Sequence, residues 1–373
     1  MHPEIDKIPA LEAWLRAPRP GLVFQALDLT DYEADFCALD EALLHCIFIG
    51  CRFSDRLGAH LAARQCTIIP ELAGRAFTIF RGHLYSPEEL FAAFEPEHPA
   101  SYAHTPDALI YASYMAAPGK MRPCGLDEVL ARRLHDFSVT DALEEFLEEQ
   151  RFKGIIAVMG GHDTLRGHES YRGIARLARL LTLDGYLIVS GGGPGIMEAA
   201  NLGAYFAYES EATMADAIDE LAAAPSYKDP RWLSVAWRVR HRVEKPGRSV
   251  GVPTWFYGHE PPNAFATDIA KYFENSVREE GLLAIAKDGV VFAAGNAGTV
   301  QEIFQDACQN YYKTYHERAS PMVLFGKSYW SERKAVEPLL RTLAQEKDFE
   351  GLLLFSDDVD EIAAFLAKAR QDE

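Results

Sequence analysis

Tyr186-Leu187-Ile188-Val189-Ser190-Gly191-Gly192-Gly193-Pro194-Gly195-Ile196-Met197-Glu198 decides how the rest of the chain is read. An apolar run breaks into glycines and restarts as a helix with Pro194 suited to its first position, so several backbone N–H groups face outward without partners. With the helix dipole behind them, those groups make an anion site. A second such junction follows, where Val290-Val291-Phe292 runs into Ala293-Ala294-Gly295-Asn296-Ala297-Gly298-Thr299 and then the helical Val300-Gln301-Glu302-Ile303-Phe304. Two glycine-lined strand ends in one sheet suggest a phosphorylated ligand held between them.

Outward from this stretch, apolar strands alternate with helical patterns from Lys153 onward. Strands are predicted at 154–159, 186–190, 249–252, 289–292, 322–325 and 352–355. Helices are predicted at 168–183, 194–208, 267–286, 300–312 and 332–345, with a last one after Ser356-Asp357-Asp358. Such alternation implies βαβ units and a doubly wound, mostly parallel, Rossmann-like α/β sheet. Ligands of open α/β sheets sit outside the carboxyl ends of the strands. The loops found there are Gly160-Gly161-His162, Gly191 to Gly195, Pro253-Thr254-Trp255 and Gly295 to Thr299, and one crevice is expected to gather them.

Before that, 44–50 and 66–69 read as strands and 55–65 as a helix, so a smaller α/β unit is expected over 1–125, ahead of a nucleotide-binding domain over 126–373. The proline-containing 95–99 and 117–123 read as connectors, and 140–150 as a helix leading into the main domain. A length of 373 residues also favours two domains.

With 48% hydrophobic and 25% charged residues, the composition is that of a globular protein. A formal net charge of −18 argues against a duplex nucleic-acid surface, which needs clustered Lys and Arg. No apolar run approaches the roughly 20 residues that span a bilayer, and the N-terminus lacks the order of a secretion signal. A cytoplasmic setting is therefore expected, with six scattered cysteines as reduced thiols. His162, Asp163 and His168 share no helical face and no Cys joins them, so no metal is expected. The basic run over 226–248 holds Lys228, Arg231, Arg238, Arg240, Arg242, Lys245 and Arg248, and reads as a solvated face, an oligomer contact or an effector site.

Two familiar nucleotide signatures fail on their letters. G-x-G-x-x-G needs glycine where Ile196 or Glu198 stands, and the P-loop mimic Gly326-Lys327-Ser328 needs glycine where Pro321 stands. What remains is a resemblance carried by the triple glycine before a helix, Arg278 in Asn275-Ser276-Val277-Arg278-Glu279, and Ala294-Gly295-Asn296-Ala297-Gly298-Thr299-Val300-Gln301-Glu302. Over 153–325 the chain resembles the LOG family of nucleoside 5′-monophosphate phosphoribohydrolases, departing from its P-G-G-x-G-T-x-x-E pattern at Ala294 and Asn296. The resemblance implies cleavage of a nucleoside monophosphate into base and ribose 5-phosphate, without cofactor, in a homo-oligomer. By it, Arg278 and Glu302 are catalytic, while Gly160, Gly161, His162, Gly191, Gly192, Gly193, Pro194, Gly195, Met197, Glu198, Gly295, Asn296, Gly298 and Thr299 bind substrate.

Residue chemistry allows this and its alternatives. A carboxylate at Glu302 could stabilise an oxocarbenium-like sugar, and a guanidinium at Arg278 could clamp phosphate or ribose oxygens. Thr299-x-x-Glu302 is equally a capping box, and Arg278 lies opposite its helix's apolar stripe, where a solvated arginine would also lie. His162 faces phosphate or caps a turn; Glu198 binds a ribose hydroxyl or favours a helix N-terminus by its charge. The alternative to turnover is a nucleotide-binding sensor or carrier, motivated by Ala294 and Asn296.

Overall fold

Hydrophobic runs with no polar alternation are the mark of strands buried on both faces, and Gly154–Met159 and Tyr186–Ser190 are buried at every position. In the computed structural model, which describes residues 4–72, 74–116, 125–315 and 317–371, both lie in the middle of an all-parallel sheet. The connector read at 117–123, and Cys124, lie outside the described residues.

The chain divides into two units, residues 1–84 with 115–149, and residues 85–114 with 150–373. In the first, β1 (Glu4–Ile5), β2 (Val23–Gln25), β3 (Ile47–Ile49) and β4 (Thr67–Ile69) form a parallel sheet in sequential order. Its core is aromatic: Phe24 stacks on Phe48 with ring centroids 4.7 Å apart and meets Trp14 edge-on at 4.8 Å. The helix Leu126–Glu149 belongs to this unit, whereas the sequence reading started the second domain at 126.

The second unit holds β5 (Gly154–Met159), β6 (Tyr186–Ser190), β7 (Ser249–Gly251), β8 (Asp268–Ile269), β9 (Val290–Phe292), β10 (Met322–Phe325) and β11 (Leu353–Ser356). Their spatial order is β11-β10-β9-β5-β6-β7-β8. From β5 the chain winds outward through β6 and β7 to β8, then returns to lay β9 on the other side of β5. Strand order therefore reverses between β5 and β9, and the doubly wound α/β fold expected from the sequence is present.

Two expected helices are shorter. The helix expected over 267–286 begins at Asn275, because Thr267 exchanges hydrogen bonds with the Ser249 backbone and Asp268–Ile269 adds to the sheet as β8. The one expected over 332–345 is confined to Glu337–Ala344, started by Pro338 in its first turn. No helix among the described residues is long and apolar enough to cross a membrane.

Candidate functional site

Loops that follow β5 and β9 flank the reversal in strand order, the place where an open α/β sheet leaves a crevice. Three loops are tied together there by main-chain bonds. The Gly161 N–H donates to Ala294 O at 3.0 Å and the Ile196 N–H to Gly161 O at 3.2 Å. Gly195, at φ +69°, brings its α-carbon against the Gly161 and His162 carbonyls, where a Cβ would stand 2.4 Å from the former.

A cleft of about 300 Å³ opens at this junction, the lower end of the range for small-molecule sites. Its wall includes Gly160, Gly161, His162, Met197, Asn296, Gly298, Thr299, Arg278 and Glu302, so nine of the sequence-designated residues meet in one place. The glycines of 191–195 do not line it. Met197 lies over them, and a Cβ on Gly191 or Gly193 would meet its side chain at 2.6 or 2.8 Å. Asn263 holds the loop from behind, its N–H on Gly192 O at 2.8 Å and its amide on Gly193 O at 3.2 Å.

Asn296 is the N-cap of the helix Ala297–Tyr312 and makes no side-chain bond to its first turn. The N–H groups of Ala297, Gly298 and Thr299, all on the cleft wall, thus keep donor capacity at the positive end of a 16-residue helix. The capping-box alternative is corrected by the same fact: with the cap at Asn296, Glu302 falls in the second turn and bonds no helix-end amide. Its carboxylate instead accepts from Arg278 Nη1 at 3.3 Å. Burial pushes Glu302 up to about 7 against the opposing pull of Arg278. Arg278 is only 8% exposed, not solvated, and its Nε has no acceptor.

Glu198 leaves the site. It is fully buried in a bidentate pair with Arg166, at 2.8 and 2.5 Å, and accepts from the Tyr171 hydroxyl at 3.1 Å. A carboxylate so placed supports the helix Ile196–Tyr205 and touches no ligand space. His162 stands between Glu260 and Asp163, with one ring nitrogen 3.2 Å from each.

Tyr257, Glu260 and Glu279 also line the cleft and were not designated from the sequence. Tyr257 and Glu260 stand in the turn-rich 256–263, past the Pro253-Thr254-Trp255 that ends β7, while Trp255 itself is fully buried. Burial raises the Glu260 carboxyl, opposed by His162 and His259. The five arginines of the basic run over 226–248 are paired: Arg231 with Asp229, Arg238 with Glu97, Arg240 with Glu88, Arg242 with Glu220 and Arg248 with Asp268. In the first unit, carboxylate oxygens of Glu4, Asp141 and Glu145 lie within 4.8 Å of one another. Burial, with the Asp141 carboxyl beside it, pushes Glu4 up to about 8.

No family model matches the sequence, and no curated protein matches it. Solved structures do. A molybdenum cofactor binding protein from the phototrophic bacterium Rippkaea orientalis is 15% identical with a TM-score of 0.38, over 59% of this chain and 99% of that one. The molybdenum cofactor carrier protein of Chlamydomonas reinhardtii is 18% identical with a TM-score of 0.35, over 58% and 97%. These matches are cofactor-binding and carrier proteins rather than phosphoribohydrolases, and they overturn the resemblance to the LOG family. With it goes the hydrolase reading; Arg278 and Glu302 stand side by side on the cleft wall, hydrogen-bonded to each other.

Proposed function

We propose that this chain is a binding or carrier protein without turnover, which holds a phosphorylated, nucleotide-like small molecule in the cleft between the ends of β5 and β9. The observation that carries this reading is the start of the helix Ala297–Tyr312: an uncapped first turn, opening on the cleft, at the reversal of strand order. Phosphate oxygens would take the N–H groups of Ala297, Gly298 and Thr299, with the Asn296 amide and His162 beside them. The Arg278–Glu302 pair forms the floor. Gly160, Gly161 and Met197 bring uncharged surface close to the ligand, while the triple-glycine loop serves as their support. Five described cysteines are free thiols, in keeping with a reducing, cytoplasmic setting.

Calorimetric titration with nucleoside 5′-monophosphates and the matching nucleosides, with chromatography for released base, tests the reading. Monophosphates should bind saturably and at least about tenfold more tightly than nucleosides, since charge-assisted hydrogen bonds are worth roughly 1.5–3 kcal/mol each. No base should be released. Equal affinity for nucleoside and monophosphate, or steady release of base, would overturn it.

A further inference from the structure

The cleft is lopsided in what it offers. Three of its side chains are carboxylates, from three different elements. Glu260 comes from the loop after β7, Glu279 from the helix Asn275–Ile285, and Glu302 from the helix Ala297–Tyr312. A bare phosphate gains nothing from such a wall.

One oxygen of each carboxylate is already engaged. Glu260 Oε1 lies 3.2 Å from His162 Nδ1 and 3.6 Å from His259 Nε2. Glu279 Oε2 accepts from Gln301 Nε2 at 2.9 Å, and Glu302 Oε1 from Arg278. The second oxygens, Glu260 Oε2, Glu279 Oε1 and Glu302 Oε2, have no partner among the described residues. Glu279 lines the cleft, so its unused acceptor is available to a donor on a ligand. Beside it, Arg278 Nε is a buried donor with no acceptor. Free acceptors and a free donor side by side in one cleft point to a ligand that supplies both kinds of group. A metal ion is the other way to satisfy carboxylates, but these three do not converge: within the described residues, the acidic group close enough to hold an ion is the one at Glu4 in the first unit.

Resting on the phosphate reading above, we infer that the ligand's other end presents adjacent hydrogen-bond donors, of the kind made by a ring N–H beside an exocyclic amino group, and that Glu260 and Glu279 are its specificity-determining acceptors. Guanine has that edge. Hypoxanthine has the ring N–H without the amino group, and adenine offers an acceptor where guanine has its ring donor.

Guanosine, inosine and adenosine 5′-monophosphates titrated into the full chain separate the possibilities. Guanosine monophosphate is expected to bind at least about tenfold more tightly than the other two, because a site built to accept donors rejects an analogue that lacks them. Glu260→Gln or Glu279→Gln should narrow the preference over adenosine monophosphate to threefold or less, while affinity for adenosine monophosphate changes by less than threefold. Either variant suffices if the other is poorly folded. Equal affinity for all three in the parent chain overturns this inference and leaves the phosphate reading standing. Absence of binding by any of them overturns both.

Discussion

Gly195→Ala should destabilise the second unit by about 3 kcal/mol or more and remove ligand binding at the cleft. Two costs combine. Gly195 sits at φ +69°, ψ −126°, a conformation open essentially to glycine alone, and forcing a side chain into it costs roughly 1–3 kcal/mol. The added Cβ would also stand 2.4 Å from Gly161 O and 2.8 Å from His162 O, and overpacking of that kind costs typically about 1–3 kcal/mol. The neighbours are backbone and cannot rotate away. Retreat of the Gly161 carbonyl strains the Ile196 N–H bond it accepts and, through the Gly161 N–H, its tie to Ala294. The loop that moves is the cleft wall itself. Gly298→Ala is the control: its Cβ would meet nothing within 4 Å and its φ is not positive, so stability should change by about 1 kcal/mol at most. Denaturant titration followed by tryptophan emission reports on this unit, which holds Trp232, Trp237, Trp255 and Trp330, against Trp14 alone in the first. A loss under 1 kcal/mol for Gly195→Ala would mean that the three loops are not locked as described.

The same contacts explain what could be read from the letters and what could not. Strands β5, β6 and β10 begin and end where the apolar runs do, because strands buried on both faces leave no polar residue to blur the boundary. Helix starts set by an isolated residue were also legible, as at His168, whose ring accepts the Ser170 N–H at 3.2 Å. β8 was hidden, since its two strand residues are followed by Lys271, a charge that normally argues for surface. Here Lys271 is fully buried on Asp107, 164 residues away in sequence, and lies over the Trp255 ring. Nothing local announces that pairing. The cleft was half legible: glycines and strand ends located it, but whether a glycine faces ligand or merely lets another residue lie over it depends on Met197. Glu260 was overlooked because the loop after β7 runs on through Gly258, Pro261 and Pro262 before Asn263 turns it back onto Gly192.

Arg278→Met is expected to destabilise the protein by about 2–2.5 kcal/mol at pH 8 and by only about 1 kcal/mol at pH 5. The pH dependence follows from Glu302. Its carboxyl titrates near 4.5 in the unfolded chain and near 7 when folded, raised by burial and held down by Arg278. Between those values the folded state binds the extra proton, so Glu302's contribution to the parent's stability is greatest below about 4.5, falls by up to about 1.4 kcal/mol per pH unit as pH rises, and levels off above about 7. At pH 8 the parent therefore carries an ionised Glu302 paired at 3.3 Å with Arg278. Methionine keeps most of the buried volume but withdraws the cation, and because the carboxyl can avoid an unpaired buried charge by keeping its proton, the added loss at pH 8, one unit above the parent's value, is limited to about 1.4 kcal/mol. The lone carboxyl then holds its proton to higher pH, and the decline in stability continues past 7. At pH 5 both chains hold Glu302 neutral, and the substitution removes little more than one hydrogen bond. Glu302→Gln supplies the cross-check, since it removes the titration: in that background Arg278→Met should cost about 1 kcal/mol at either pH, leaving a coupling of about 1–1.4 kcal/mol that exists only at pH 8. Equal losses at pH 5 and pH 8 in the Glu302 chain would show that Arg278 is held by packing rather than by this carboxylate, and that the floor of the cleft is not the charge pair described.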